Sequence, residues 1–489
     1  MIRRPARLVL VLAALALLPA LAACATAPAT GKTIFTGGLS QEDEARLGRQ
    51  AHEKILARFG GAYDDPGLTA YISSIGKLLA STSELPALVF TFTVLDTPIV
   101  NAFALPGGYV YLTRGLLALA DDEAEVAGVL AHEIGHVTAR HSAERYGQAM
   151  AAKLATAGLG LLLGSGPATD AFGTVSALAL RSFTREQEHE ADVLGVRYLA
   201  RSGYDPRAMS SFLERLLAHS RLDAELKGKP GRADEFNIMQ THPRTADRIR
   251  RAIQEAGAKA VADPMTARAI YLGKIDGMLY GDSPAQGFVR GRSFVHPRLR
   301  FSFRVPAGFR LFNSPLRVVA RGPDGAAILF DRARTASRAG MVEYLTQDWA
   351  KDLGLSDVEA ITVNGMAAAT GRTRLNTRGG QRDIRLLAIR YDAKTIYRML
   401  FVTPPSLTAA LGRPFRETTY SFRKLSQAEA ARLRPLRLRI HDPRPGDTVA
   451  GLAARMPFED HRMERFLVLN GLHAGGPLPP GRKVKIVTE

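Results

Sequence analysis

The most constraining feature of this sequence is five residues long: His132-Glu-Ile-Gly-His136. Imidazoles four positions apart project from one face of an α-helix, where both can reach a single cation. Glu133 is rotated ~100° from His132, close enough to take a proton from a water at such a cation without being a ligand. Asp121 or Asp122 supplies an N-cap, and Val126, Leu130 and Val137 supply an apolar face, so a helix is expected to run to about Tyr146. His141, nine residues beyond His132, is expected on the opposite face and is excluded as a ligand. The similar pair His52-Glu53 has Leu56 where a second ligand should stand, and reads as a feature of a helix surface.

Two imidazoles do not complete a catalytic zinc site. A third protein ligand and one open position are needed, so a distant donor must fold back onto this helix. The run Arg185-Glu-Gln-Glu-His-Glu-Ala-Asp192 offers Glu186, Glu188, His189 and Glu190. Helix geometry favours Glu188, whose face continues through Ala191, Asp192 and Gly195; these small residues permit close approach to the first helix. Asp192, one turn on, is placed to accept the second N–H of a ligand histidine. Glu190 lies ~200° around the helix from Glu188.

Around these motifs, helical spacing is predicted over 40–59 (Leu47, Ala51 and Ile55 on one face), 186–201, 206–219 and 243–257. Phe90–Leu95 and Tyr109–Leu112 read as strands, separated by the turn-rich Asn101-Ala-Phe-Ala-Leu-Pro-Gly-Gly108. The apolar stretch Ala149–Leu163 is too short to span a bilayer; it reads as a core helix or as a lid over the site.

Together these residues resemble the M48 family of zinc metallopeptidases, over roughly residues 40–257. The resemblance rests on Asn101–Gly108, the His132–His136 helix followed by Arg140-His141, the Glu188-x-x-Ala-Asp192 helix, and Thr241-His242-Pro243. It implies one Zn2+ per chain held by His132, His136 and Glu188, with Glu133 as general base and Asp192 in the outer shell. It also implies that His242 and Arg248 lie over the metal, either holding the oxyanion of a tetrahedral intermediate or, for His242, occupying the open position in a latent enzyme. By the family's pattern, Gly108, Tyr109, Val110 and Tyr111 begin an edge strand that receives the substrate as an added β-strand; read alone, they form an ordinary sheet strand.

The N-terminus gives an address. Arg3, Arg4 and Arg7 precede an uncharged, Leu- and Ala-rich run from Leu8 to Ala23, the form of an export signal. Leu21-Ala-Ala-Cys24 resembles a bacterial lipobox, which implies lipidation at Cys24, the single cysteine of the chain. Ala25, a residue other than Asp after the cysteine, favours the outer membrane by the same resemblance. Residues 24–39 are expected to form a lipidated tether. The net charge of +18 suits an anionic surface, but no aromatic or motif signal supports nucleic-acid binding, and export argues against it.

Beyond residue 282 the composition shifts. Short alternating runs (Leu299–Val305, Ala326–Asp331, Asp383–Tyr391, Ile396–Phe401) and one helix near 341–353 predict an α+β domain over 283–428 without a catalytic signature. After an Arg-rich linker, residues 438–488 resemble a LysM module, a βααβ unit that implies binding of peptidoglycan glycans, though some such units only pack against neighbours. Gly446-Asp-Thr448 is expected to turn into its first helix with an Asp cap.

The expected architecture is α+β. It comprises an export signal (1–23), the tether, a mainly helical zincin-like domain with a small sheet (40–282), the α+β domain, and a basic linker with the LysM-like unit (429–489). The expected activity is a lipid-anchored zinc endopeptidase facing the periplasm, acting on unfolded or misassembled envelope proteins. Two other readings stay open: a peptidoglycan-binding scaffold with a latent or structural zinc, and a peptidoglycan peptidase.

Overall fold

The computed structural model describes residues 23–162, 182–228, 261–335, 339–377 and 379–489, with Arg251 and Gln254, the side chains of 153–162 excepted. The first 22 residues, His242, Arg248 and most of the anticipated 243–257 helix lie outside the described residues. The chain is mixed α+β and divides into two compact units. Among the described residues, one is built from those up to Ala57, from Gly61 to Tyr280 and from Arg437 to Thr488, the other mainly from Gly281–Leu436.

The first unit begins with a correction. Residues 24–39 are not a tether but carry the hairpin β1 (Cys24–Thr26) and β2 (Thr33–Phe35), paired antiparallel. Ala27 and Ile34 are buried, so this short segment has apolar groups to lose from water, while Gly31 and Gly37 turn the chain at positive φ. Helix α1 (Gln41–Phe59) buries Leu47, Ala51 and Ile55, the face read from the spacing. Helix α2 (Pro66–Ser81) starts at Asp65, whose carboxylate accepts from the Leu68 amide, with Pro66 at the first turn.

A three-stranded sheet follows: β3 (Thr91–Leu95), β4 (Ala102–Leu105) and β5 (Tyr109–Thr113), in the order β3-β5-β4. Strand β5 pairs parallel with β3 and antiparallel with β4. The strand that Gly108, Tyr109, Val110 and Tyr111 begin is therefore central, and the expectation of a substrate-receiving edge there is overturned. The contiguous apolar run of β5 suits a strand with neighbours on both sides. The bend before it needs glycine. Gly107 has φ +78, and a Cβ there would stand 2.5 Å from the Ala45 Cα of α1.

Helices α3 (Arg114–Leu119), α4 (Glu123–Thr138), α5 (His141–Leu162), α6 (Arg185–Arg201), α7 (Ala208–Leu226) and α8 (Arg268–Ile275) complete this part. Every residue of α4 is buried, the position of a helix packed on all sides. Its cap is Asp122, which accepts from the Glu125 amide. The helix expected to reach Tyr146 instead stops at Thr138. Arg140 takes a left-handed backbone, φ 56, and its guanidinium is held by the buried Glu44 carboxylate and the Leu39 carbonyl. Tertiary hydrogen bonds thus fix a conformation that an arginine alone disfavours.

In the second unit, antiparallel strands dominate. Strands β6 (Phe288–Arg290), β7 (Ser293–His296) and β8 (Phe301–Arg304) form one sheet with β16 (Arg423–Lys424). Strands β9 (Arg310–Asn313), β10 (Val318–Arg321), β11 (Ala327–Arg334), β12 (Ser356–Val363), β13 (Met366–Thr377), β14 (Gly380–Arg390) and β15 (Thr395–Thr403) form the other, in the order β12-β13-β14-β15-β11-β10-β9. The rings of Phe294, Phe301, Phe303, Phe330, Tyr397 and Phe422 fill the main core.

The C-terminal stretch runs β17 (Arg437–His441), a helix at Val449–Ala454, a second at Arg462–Asn470, and β18 (Val484–Thr488), with β17 and β18 antiparallel. The cap of its first helix is Thr448, which accepts from Gly451, rather than Asp447; the Asp447 carboxylate instead accepts from the Arg444 amide. This stretch packs into the first unit. The buried Lys485 ammonium donates to the carbonyls of Ala118, Leu119 and Ala120 at 2.9, 3.0 and 2.6 Å, acceptors left over where α3 ends. Arg482 and Arg268 both reach the Asp121 carboxylate beside them.

Candidate metal centre

Two helices carry the site, and small residues bring them together. A Cβ on Gly135 of α4 would lie 3.1 Å from the Ala191 carbonyl oxygen of α6, and one on Gly195 would lie 3.2 Å from the His132 amide nitrogen. Helix α6 is started by a capping box: Thr184 accepts from the Gln187 amide, and the Gln187 side chain accepts from the Thr184 amide. That start sets the rotation of α6, which turns Glu188 and Asp192 towards α4.

His132, His136 and Glu188 are brought to one point, with a donor atom of each inside a 4.8 Å cluster. The two Nε2 atoms are 3.0 Å apart. The Glu188 oxygens lie 3.7 Å from His132 Nε2 and 3.6 Å from His136 Nε2. Ligands of a tetrahedral zinc at ~2.0–2.1 Å stand about 3.3 Å from each other, so the spacing matches a metal triad.

The surrounding hydrogen bonds test the fit independently. His132 Nδ1 is 3.0 Å from Asp192 Oδ1, so in the neutral ring the proton sits on Nδ1 and Nε2 presents a lone pair. His136 Nδ1 is 2.8 Å from His141 Nδ1, and His141 Nε2 is 3.1 Å from Glu190 Oε2. A neutral His141 that donates to Glu190 must accept at Nδ1. His136 is then the donor on that side, and its Nε2 also presents a lone pair. Two lone pairs and a carboxylate therefore converge in a site where His136 and Glu188 have no solvent exposure. Two imidazole nitrogens and a carboxylate so placed are the donor set that a divalent metal such as zinc would take.

His141 is thus not a ligand, but the reason differs from the one the helical wheel suggested. It is on a new helix, not the far face of the old one, and it supports His136 directly. Around the pair, Phe183 stacks on His136 with ring centroids 3.9 Å apart, and the Arg145 guanidinium lies 3.5 Å above the Phe183 ring. The His141 hydrogen bond outweighs the upward push of burial and, aided by Lys32, holds the Glu190 carboxyl down at about 2. Glu133, buried on α4, adjoins the triad in sequence. Cys24 is exposed at the start of β1.

His141, Glu190, Phe183 and Lys32 were not assigned roles by spacing. The Arg140-His141 pair could have flagged the first, but its partner depends on the left-handed turn at Arg140.

Residues 66–256 match the model of Peptidase family M48. The chain is 36% identical over 220 residues to the beta-barrel assembly-enhancing protease of Escherichia coli (strain K12), a match covering 43% of each chain. It is 38% identical over 181 residues to the mitochondrial metalloendopeptidase OMA1 of Arabidopsis thaliana, covering 37% of this chain and 34% of that one. To OMA1 of Schizosaccharomyces pombe it is 32% identical over 222 residues, covering 44% and 61% respectively. The matches thus span less than half of the first two relatives.

Proposed function

We propose that this chain, whose residues 66–256 form a domain of peptidase family M48, is a zinc-dependent endopeptidase of the bacterial cell envelope. The observation that carries the reading is the convergence of His132 Nε2, His136 Nε2 and Glu188, with His132 Nδ1 against the Asp192 carboxylate and His136 Nδ1 against His141. Zinc held there supplies a Lewis acid and a water of lowered pKa. Glu133 takes the proton of the attacking water and passes it to the leaving amine. His132 is 9% exposed, against 0% for His136 and Glu188. His242 and Arg248 enter by resemblance as oxyanion partners, His242 alternatively as the occupant of the open position.

Substrate binding moves to the sheet edge. The Thr113 amide donates to the Asn101 carbonyl, and the register of β4 against β5 turns Phe103 and Leu105 towards β5 as well. The backbone groups of Ala102 and Ala104 lie on the outer side of β4, and both residues are buried, so an added strand would pair there only after displacing what covers them. Pairing through backbone tolerates any sequence, which suits misfolded or misassembled polypeptides. Export and lipidation at Cys24 follow from the N-terminal signal; among the described residues no helix is long and apolar enough to cross a membrane. A glycan bound by 438–488 would sit on the peptidase unit itself, because Lys485 fastens that stretch there.

The test replaces Glu133 with Gln in the purified chain and measures zinc content with cleavage of an unfolded casein. Retained zinc with cleavage reduced about 100-fold or more supports the reading. A parent protein that holds zinc yet cleaves nothing would favour the scaffold instead.

A further inference from the structure

The N-terminal hairpin touches the metal helices at the place where the outer support of His136 is built. Lys32, in the β1–β2 turn, lies 2.9 Å from Glu190 Oε1, while Glu190 Oε2 accepts from His141 Nε2 and His141 Nδ1 lies 2.8 Å from His136 Nδ1. With a neutral His141 that donates to Glu190, donation runs from His136 through His141 to Glu190, and Lys32 donates to the same carboxylate from its other side.

Three further contacts hold the same corner. The Ala29 amide donates to the Thr138 carbonyl at the end of α4. Gly147 of α5 lies against the hairpin, where a Cβ would stand 2.5 Å from the Phe35 carbonyl oxygen. Arg140 is gripped by Glu44 and the Leu39 carbonyl. The turn at Arg140 aims His141 at His136, and residues 29–44 hold that turn from several sides.

We propose that His141 is a positioning residue for the metal centre, and that residues 24–44 are its clamp, with Lys32 closing the chain Lys32–Glu190–His141–His136. The clamp selects the His136 tautomer that leaves Nε2 for the metal and fixes the ring against rotation. It makes the segment next to the expected membrane anchor a structural part of the metal site. This inference rests on the zinc site proposed above.

The experiment measures zinc affinity by competition with a chromogenic chelator, and the visible spectrum of the Co2+-substituted protein, for the full chain and three variants. His141→Leu removes the acceptor and is expected to weaken zinc binding about 10–100-fold and shift the Co2+ bands. His141→Asn keeps an acceptor facing His136 Nδ1 and is expected to recover most of that loss, which a purely space-filling role would not give. Lys32→Ala, at an exposed ion pair, is expected to weaken binding about two- to five-fold. Parent-like affinity and spectrum in both His141 variants would overturn the proposal. A loss in His141→Leu with none in Lys32→Ala would overturn the clamp and leave His141 acting alone. A parent that binds zinc but does not cleave protein would sink the peptidase reading without touching this one.

Discussion

The two units bury different chemistry. The core of Gly281–Leu436 is a cluster of aromatic rings, with Phe301 meeting Phe294, Phe330, Tyr397 and Phe422. Around α4 and α6 the first unit buries ionisable groups instead: His132, His136, Glu188, Asp192 and His141. Rings gain stability from leaving water, whereas buried imidazoles and carboxylates lose hydration and persist only when paired or metal-bound. The aromatic core is therefore arranged for stability and the patch between α4 and α6 for chemistry, and each should respond differently to substitution.

The largest effect is expected from His136→Ala, which removes a ligand. Zinc content should fall from about one per chain to near zero, and protein cleavage should drop at least about 1000-fold. In the aromatic unit, Phe301→Ala should cost about 3–5 kcal/mol, read as a lower denaturation midpoint for that unit. Zinc content there should stay at about one per chain; a loss of zinc in this variant would break the contrast between the units.

The corner near Asp121 sharpens the contrast, because it is ionic yet structural. Lys485→Met should leave three carbonyls without their donor and cost about 2–3 kcal/mol in urea unfolding, with zinc retained. The smallest effect concerns acid. Burial alone would raise the Asp121 carboxyl, but the Arg268 hydrogen bond and the charges of Lys485 and Arg215 hold it well below its ordinary 3.8. The stability this contributes is complete above about pH 4 and is lost as pH falls through the lowered value. Asp121→Asn should therefore flatten the decline of the urea midpoint between about pH 4.5 and pH 2.5.

What could be read from the sequence was what helical spacing controls. His132 and His136 share a face because they are four residues apart, and Glu188 and Asp192 share one for the same reason, so triad and outer carboxylate were both legible. Long-range contacts were not. The break after Thr138 depends on Arg140 finding Glu44 and Leu39, about a hundred positions earlier, and only that break turns His141 towards His136. The central position of β5 depends on β3 and β4 flanking it, which its own residues do not encode. Residues 24–39 looked like a tether because their few apolar side chains are buried against partners distant in sequence. The attachment of Lys485 to α3, across more than three hundred residues, left no local trace at all.

The most direct test of the central claim is zinc-edge X-ray absorption on the purified chain, alongside Glu188→Gln. One zinc per chain is expected, with two imidazole nitrogens at ~2.0–2.1 Å and an oxygen shell, and the oxygen shell should be altered or the metal lost in the variant. A parent protein without stoichiometric zinc, or a zinc whose shell is unchanged in Glu188→Gln, would contradict the account.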